Sequence, residues 1–147
     1  MSKRKRTDFI VVHCAATKPS MDIGRKEIDQ WHRKRGWLKI GYHFVIRRDG
    51  TVEKGRDIDQ VGAHVLNHNA NTVGICLVGG LDENMKPEAN FTPEQYAALE
   101  VLIFQLLVLY PEAQIKGHCD FEKGRACPTF DAEDWWKQRW KQKDQSS

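Results

Sequence analysis

The sequence predicts an α/β domain in which a mixed central β-sheet is flanked by helices. Short apolar, β-branched segments alternate with longer segments of helical period, an order that stacks helices on a sheet. Two of the strand segments are joined by Asp49-Gly50, a tight-turn dipeptide that makes their pairing antiparallel and the sheet mixed. The 147 residues, 40% hydrophobic and 29% charged, suffice for one core, and no repeat or linker marks off a second domain.

Residues 9–13 are apolar and β-branched up to a terminal histidine and read as a buried strand. A loop at 17–20 leads to a helix with Asp22 as its possible N-cap. Ile28 and Trp31 share one face of this helix, His32 is expected on its surface, and it ends near Gly36. Residues 41–47 read as the second strand, turned into 51–53 by Gly50, which tolerates a positive φ. A loop rich in His and Asn covers 62–71, and 72–78 is an apolar strand closed by Gly79-Gly80. Thr92-Pro93-Glu94-Gln95 supplies an N-cap, a proline at the first helical position and a capping-box glutamine. That helix runs to about Tyr110, and a short strand at 114–117 then leads into His118. The last helix starts at Asp131, with Glu133 and Asp134 in its first turn. Lys137, Arg139, Lys141 and Lys143 follow toward its end, matching the helix dipole. Trp135, Trp136 and Trp140 are expected to pack this helix onto the sheet.

The formal charge of +3 is concentrated in Lys3-Arg4-Lys5-Arg6, so residues 1–8 form a basic arm ahead of a near-neutral domain at 9–143. Such an arm either frays into solvent or meets phosphate, anionic lipid or a teichoic-type polymer. It is not a secretory signal, because the apolar run after it, 9–12, is too short. The longest apolar run, 99–110, is broken by Glu100 and Gln105 and reads as a core-facing helix, well short of a membrane span. Synthesis in the cytoplasm is therefore expected, with release across the inner membrane left to another factor. A reducing site of synthesis argues against disulfides among Cys14, Cys76, Cys119 and Cys127. Cys76 reads as a small core residue. Cys127, beside Pro128 in a polar loop, is open to metal ligation.

A catalytic zinc needs three protein ligands and an open position. His13 ends a strand whose other residues are apolar, His118 follows directly on another strand, and Cys127 lies across a polar loop from it. Two strand-end imidazoles and a loop thiolate can form such a set. Alternation along the strand turns Cys14 to the opposite face from His13, which argues against a fourth ligand there. Strand-end histidines also serve as hydrogen-bonded structural residues, and spacing leaves both readings open.

Six strings occur in one order: His13-Cys-Ala-Ala-Thr-Lys-Pro19, Gly41-Tyr-His-Phe44, Arg48-Asp-Gly-Thr51, Gly74-Ile-Cys-Leu-Val-Gly-Gly80, Asn90-Phe-Thr-Pro93 and Ala126-Cys-Pro128. Together they resemble the type-2 N-acetylmuramoyl-L-alanine amidases, including the amidase-type lysozymes of T-odd coliphages. That family shares its fold with the peptidoglycan recognition proteins, and the similarity covers roughly residues 9–137. The resemblance implies one zinc ion per chain, Zn2+, held by His13, His118 and Cys127. It assigns catalytic importance to Tyr42, whose phenol can hydrogen-bond an oxyanion. It assigns the same to position 125, where phage relatives carry lysine and this chain has Arg125. Arginine stays protonated, so it can stabilise negative charge but does not exchange a proton. His64 and Asn71 match polar positions of the family's substrate groove, although Asn71 also suits a turn before a strand.

The activity implied is hydrolysis of the amide between the lactyl group of muramic acid and L-alanine in bacterial peptidoglycan. The implied protein is a monomeric phage or prophage endolysin acting on periplasmic peptidoglycan to lyse the host. Two other roles are to be weighed. One is a peptidoglycan-binding module without catalysis, which the presence of Cys127 argues against. The other is regulation of RNA polymerase, which the coliphage relatives inhibit.

Overall fold

A computed structural model describes residues 2–146. The chain runs β1 (Phe9–Cys14), α1 (Arg25–Lys34), β2 (Phe44–Ile46), β3 (Val52–Lys54), β4 (Thr72–Leu77), α2 (Pro93–Leu109), β5 (Gln114–Gly117) and α3 (Ala132–Ser146). Single 3-10 turns lie at Asn69–Asn71 and His118–Asp120. The strands form one sheet in the order β3-β2-β4-β1-β5. β1 pairs in parallel with β4 and β5, and β2 in parallel with β4, while the β2–β3 hairpin is antiparallel. The sheet is mixed for the expected reason. Gly50 takes a φ of 89° in the turn and donates its N–H to the Arg47 carbonyl at 2.8 Å.

Pleating divides the central strands between two cores. Ile10, Val12 and Cys14 of β1 and Val73, Ile75 and Leu77 of β4 pack against Leu99, Leu102, Ile103 and Leu106 of α2 and Trp136 of α3. The opposite face carries a smaller cluster in which Val45, Cys76 and Val78 meet Ile40 and Ile28 of α1. β1 and β4 are thus covered on both sides, which is why they read as nearly continuous apolar runs. His13 belongs to the α1 face, in register with Cys76 of β4. α2 buries one apolar stripe but leaves Val101, Val108 and Leu109 exposed on its other side.

The capping box at the start of α2 forms as the sequence indicates: Thr92 Oγ1 accepts from the Gln95 N–H at 3.1 Å, and Gln95 Oε1 accepts from the Thr92 N–H at 3.0 Å. Gln95 is wholly buried and reaches further. Its Nε2 donates to the carbonyls of Ile46 and Val78 at 3.1 and 2.8 Å, and its Oε1 also accepts from Arg48 at 3.2 Å. Arg48 in turn donates to the Asn90 carbonyl at 2.9 Å. The strings Arg48–Thr51 and Asn90–Pro93 therefore form one joint between the hairpin and α2. Gln95→Ala is expected to lower the unfolding free energy by about 2–4 kcal/mol, because buried hydrogen bonds are lost with their partners still in place. Urea denaturation measures this, and an unchanged midpoint would contradict the joint.

Several elements differ from expectation. The N-cap of α1 is Gly24, whose N–H donates to Glu27 Oε2 at 3.0 Å, and not Asp22, whose carboxylate faces Arg47 at 3.3 Å. Strand β2 starts at Phe44 because residues 41 and 42 bond elsewhere: the Gly41 N–H donates to His32 Nδ1, and the Gly41 and Tyr42 carbonyls accept from Ala63 and Arg56. His32 is only 6% exposed, so the expectation of a surface histidine is corrected; Trp37 folds back against it with ring centroids 4.6 Å apart and the planes tilted by 59°.

The basic arm is not frayed over its described residues. The Val61 N–H donates to the Ser2 carbonyl, Arg4 Nε donates to the Ile58 carbonyl at 2.9 Å, and Arg6 pairs with Asp8 at 2.8 Å. At the other end, Asp131 caps α3 by accepting from the Asp134 N–H at 3.0 Å. Trp136 is buried and Trp135 packs beside it, whereas the Trp140, Lys141 and Lys143 side chains lie outside the described residues. All four cysteines are free thiols and Cys76 is fully buried. No helix among the described residues is long and apolar enough to cross a membrane.

Candidate metal centre

Two distant parts of the chain meet at one end of the sheet. β1 carries His13 on its α1 face near the strand's carboxyl end. β5 pairs with β1 up to Val12↔Gly117, so the next residue along, His118, emerges beside His13 with ring centroids 4.6 Å apart. The loop after the 3-10 turn returns Cys127 over the end of β1, where its sulfur accepts from the Cys14 N–H at 3.0 Å. The Cys119 N–H donates to the Cys127 carbonyl at 2.9 Å and ties the same loop to the start of the turn. One ring nitrogen of each histidine and the thiol sulfur lie within 4.8 Å of one another, a group that could hold a metal ion. Cys14 is not part of it.

The chemistry of these donors fits a cation. His118 Nε2 is buried, and the nearest charged group among the described residues is Glu122 Oε1 at 3.1 Å. Burial, and then the neighbouring His64 and His118 rings, hold His13 well below the usual imidazole pKa, so it stays neutral, the form that ligates metals. The Cys127 thiol is pushed up by its hydrogen bond with the Cys14 side chain and then by burial. Two imidazoles and one sulfur match the preference of zinc for nitrogen and sulfur in an open, three-ligand site.

The cluster heads a groove of about 450 Å³ bounded by the Trp37 and Tyr42 side of α1 and by the 63–66 and 122–127 loops. A cavity of about 520 Å³ between β3 and α2 is larger but contains none of the three donor residues. Tyr42 lies against His13, ring centroids 5.1 Å apart, and burial raises its phenol well above 10, so it remains an O–H donor. Arg125 also lines the groove; its side chain is 62% exposed and pairs with Glu122 at 2.9 Å. The His118 ring and, less strongly, Arg125 hold the Glu122 carboxylate below its usual pKa. Glu122 had no distinguishing signal in the sequence beyond its proximity to His118.

The two expected groove residues separate. His64 lines the groove but is buried, with Nδ1 2.8 Å from His13 Nε2 and Nε2 3.0 Å from Thr72 Oγ1. The structure does not bring Asn71 to the groove: its amide donates to Asp8 at 2.9 Å, and Asn69 lies in the groove wall. Neither histidine left without a predicted role, His43 or His68, joins the donor group. His43 is a structural clamp, accepting from the Gly74 N–H at 3.0 Å through Nδ1 and meeting the Gln60 carbonyl at 2.7 Å through Nε2.

Fold and site together define an α/β domain that presents a group of donors able to hold a metal ion beside a surface groove, an arrangement that suits a hydrolase. Comparison with known proteins narrows the class. The family model described as N-acetylmuramoyl-L-alanine amidase matches residues 3–130, and the chain belongs to that family. It is 54% identical over 136 residues to the endolysin of Klebsiella phage KP32, covering 92% of this chain and 89% of that protein. Against the endolysin of Escherichia phage T7 the identity is 50% over 135 residues, with the same coverages. Among solved structures, N-acetylmuramoyl-L-alanine amidase LysC from Clostridium intestinale URNW superposes with a TM-score of 0.73 at 34% identity, covering 84% of this chain and 76% of that one. Drosophila PGRP-LB shares the fold at a TM-score of 0.72 and 22% identity, over 86% of this chain and 78% of its own.

Proposed function

We propose that this chain is a phage-type endolysin that uses zinc, held by His13, His118 and Cys127, to hydrolyse the lactyl–L-alanine amide of peptidoglycan. The observation that carries the reading is the convergence of these three donors beside Tyr42 at the head of a groove. Zinc bound there supplies a Lewis acid that polarises the scissile carbonyl and acidifies water. The protein's own groups do the remaining work. Tyr42 stays protonated and donates a hydrogen bond to oxygen as negative charge develops on it. Arg125, held by Glu122, adds a fixed positive charge at the groove. Two-carboxylate glycoside hydrolysis is disfavoured, since Glu122 is the one carboxylate among the described groove residues.

In this reading the enzyme is made in the cytoplasm and, with no helix among the described residues long and apolar enough to cross a membrane, reaches periplasmic peptidoglycan through a separate release step. Digestion of purified cell walls tests the reaction. Free L-alanine amino termini are expected without new reducing sugar ends, and reducing ends in their place would contradict it.

A further inference from the structure

We propose that His64 and Thr72 are positioning residues: a chain of hydrogen bonds through them fixes the tautomer of His13 so that its Nδ1 lone pair faces the metal. The inference rests on the reading of His13 as a ligand and concerns residues behind it. The chain starts at the His68 carbonyl, which can only accept, so the Thr72 hydroxyl 2.8 Å away donates to it. With its proton committed, Thr72 Oγ1 accepts from His64 Nε2 at 3.0 Å. A neutral His64 protonated on Nε2 has a bare Nδ1, which accepts from His13 Nε2 at 2.8 Å. His13 Nδ1 is then the nitrogen left for a cation.

The surroundings hold His64 in that pose. Thr72, Gly74 and Cys76 share the α1 face of β4 with His13 across the sheet, and the His64 ring lies directly on the gap that Gly74 leaves. A Cβ on Gly74 would stand 2.6 Å from the ring's Cγ and 2.7 Å from its Nδ1. On the loop side, the His64 and Val65 N–H groups both donate to Asn69 Oδ1 at 2.9 Å, fixing the backbone from which the ring projects. An imidazole bearing the metal is commonly oriented by the partner of its other nitrogen, and loss of such a partner weakens metal affinity about 10–100-fold. Here that partner is a second histidine whose own orientation is set by a threonine hydroxyl.

The test uses the full chain. Nitrogen-15 NMR of the wild type after metal removal is expected to show His13 protonated on Nε2 and bare on Nδ1. Thr72→Val is expected to weaken zinc binding about 10–100-fold in chelator competition, with Thr72→Ser restoring it. A wild type carrying the His13 proton on Nδ1 would overturn the relay, whether or not the valine variant folds. So would a folded Thr72→Val protein with unchanged zinc affinity. Failure of the wild type to bind zinc at all would instead defeat the functional reading, so the two failures are distinguishable.

Discussion

Cys127→Ser is expected to lose its zinc and about 10³-fold or more of its amidase activity while remaining folded. The sulfur is one of three donors within 4.8 Å of one another, and a serine hydroxyl does not ionise to replace a thiolate. Loss of the Lewis acid removes several kcal/mol of transition-state stabilisation, which sets the size of the effect. Folding should survive because serine can still accept the hydrogen bond that the Cys14 N–H gives to position 127. Metal content by elemental analysis, circular dichroism and cell-wall turnover, measured on one preparation, check the three parts. A folded, zinc-free variant that digests cell walls at the wild-type rate would remove Cys127 from the reaction.

Tyr42→Phe separates metal binding from catalysis. The phenol belongs to the groove wall and contacts the His13 ring but is not a member of the donor group, so zinc should be retained at one equivalent. Losing one hydrogen bond to a developing oxyanion typically costs about 10²–10³-fold in kcat. KM should change little, because the bond forms chiefly in the transition state. An unchanged kcat would leave Tyr42 as a packing residue only.

What the sequence disclosed follows the range of the forces involved. The cap at Thr92 was legible because cap, proline and glutamine lie within four residues of one another. Asp22 misled because its competitor was tertiary: Arg47 draws the carboxylate away and leaves Glu27 to cap from inside the helix. Residues 41 and 42 have strand-like composition, yet His32 and the 55–63 loop take backbone groups that a longer β2 would have paired. The charge of the arm was plain, but not the carbonyl of Ile58 that receives Arg4. At the site, His13 and Cys127 are too far apart in the chain for spacing to join them, and it was family resemblance that placed the donor set. The links from His64 to His13 and Thr72 had no local signature, because they depend on parallel pairing that sets Thr72 and Gly74 on the same face as His13.

Metal removal and return on a single preparation test the central claim most directly. Chelation should abolish the release of L-alanine amino termini from cell walls, and one equivalent of zinc per chain should restore it. A metal-free protein that continues to release those termini at the original rate would contradict the account.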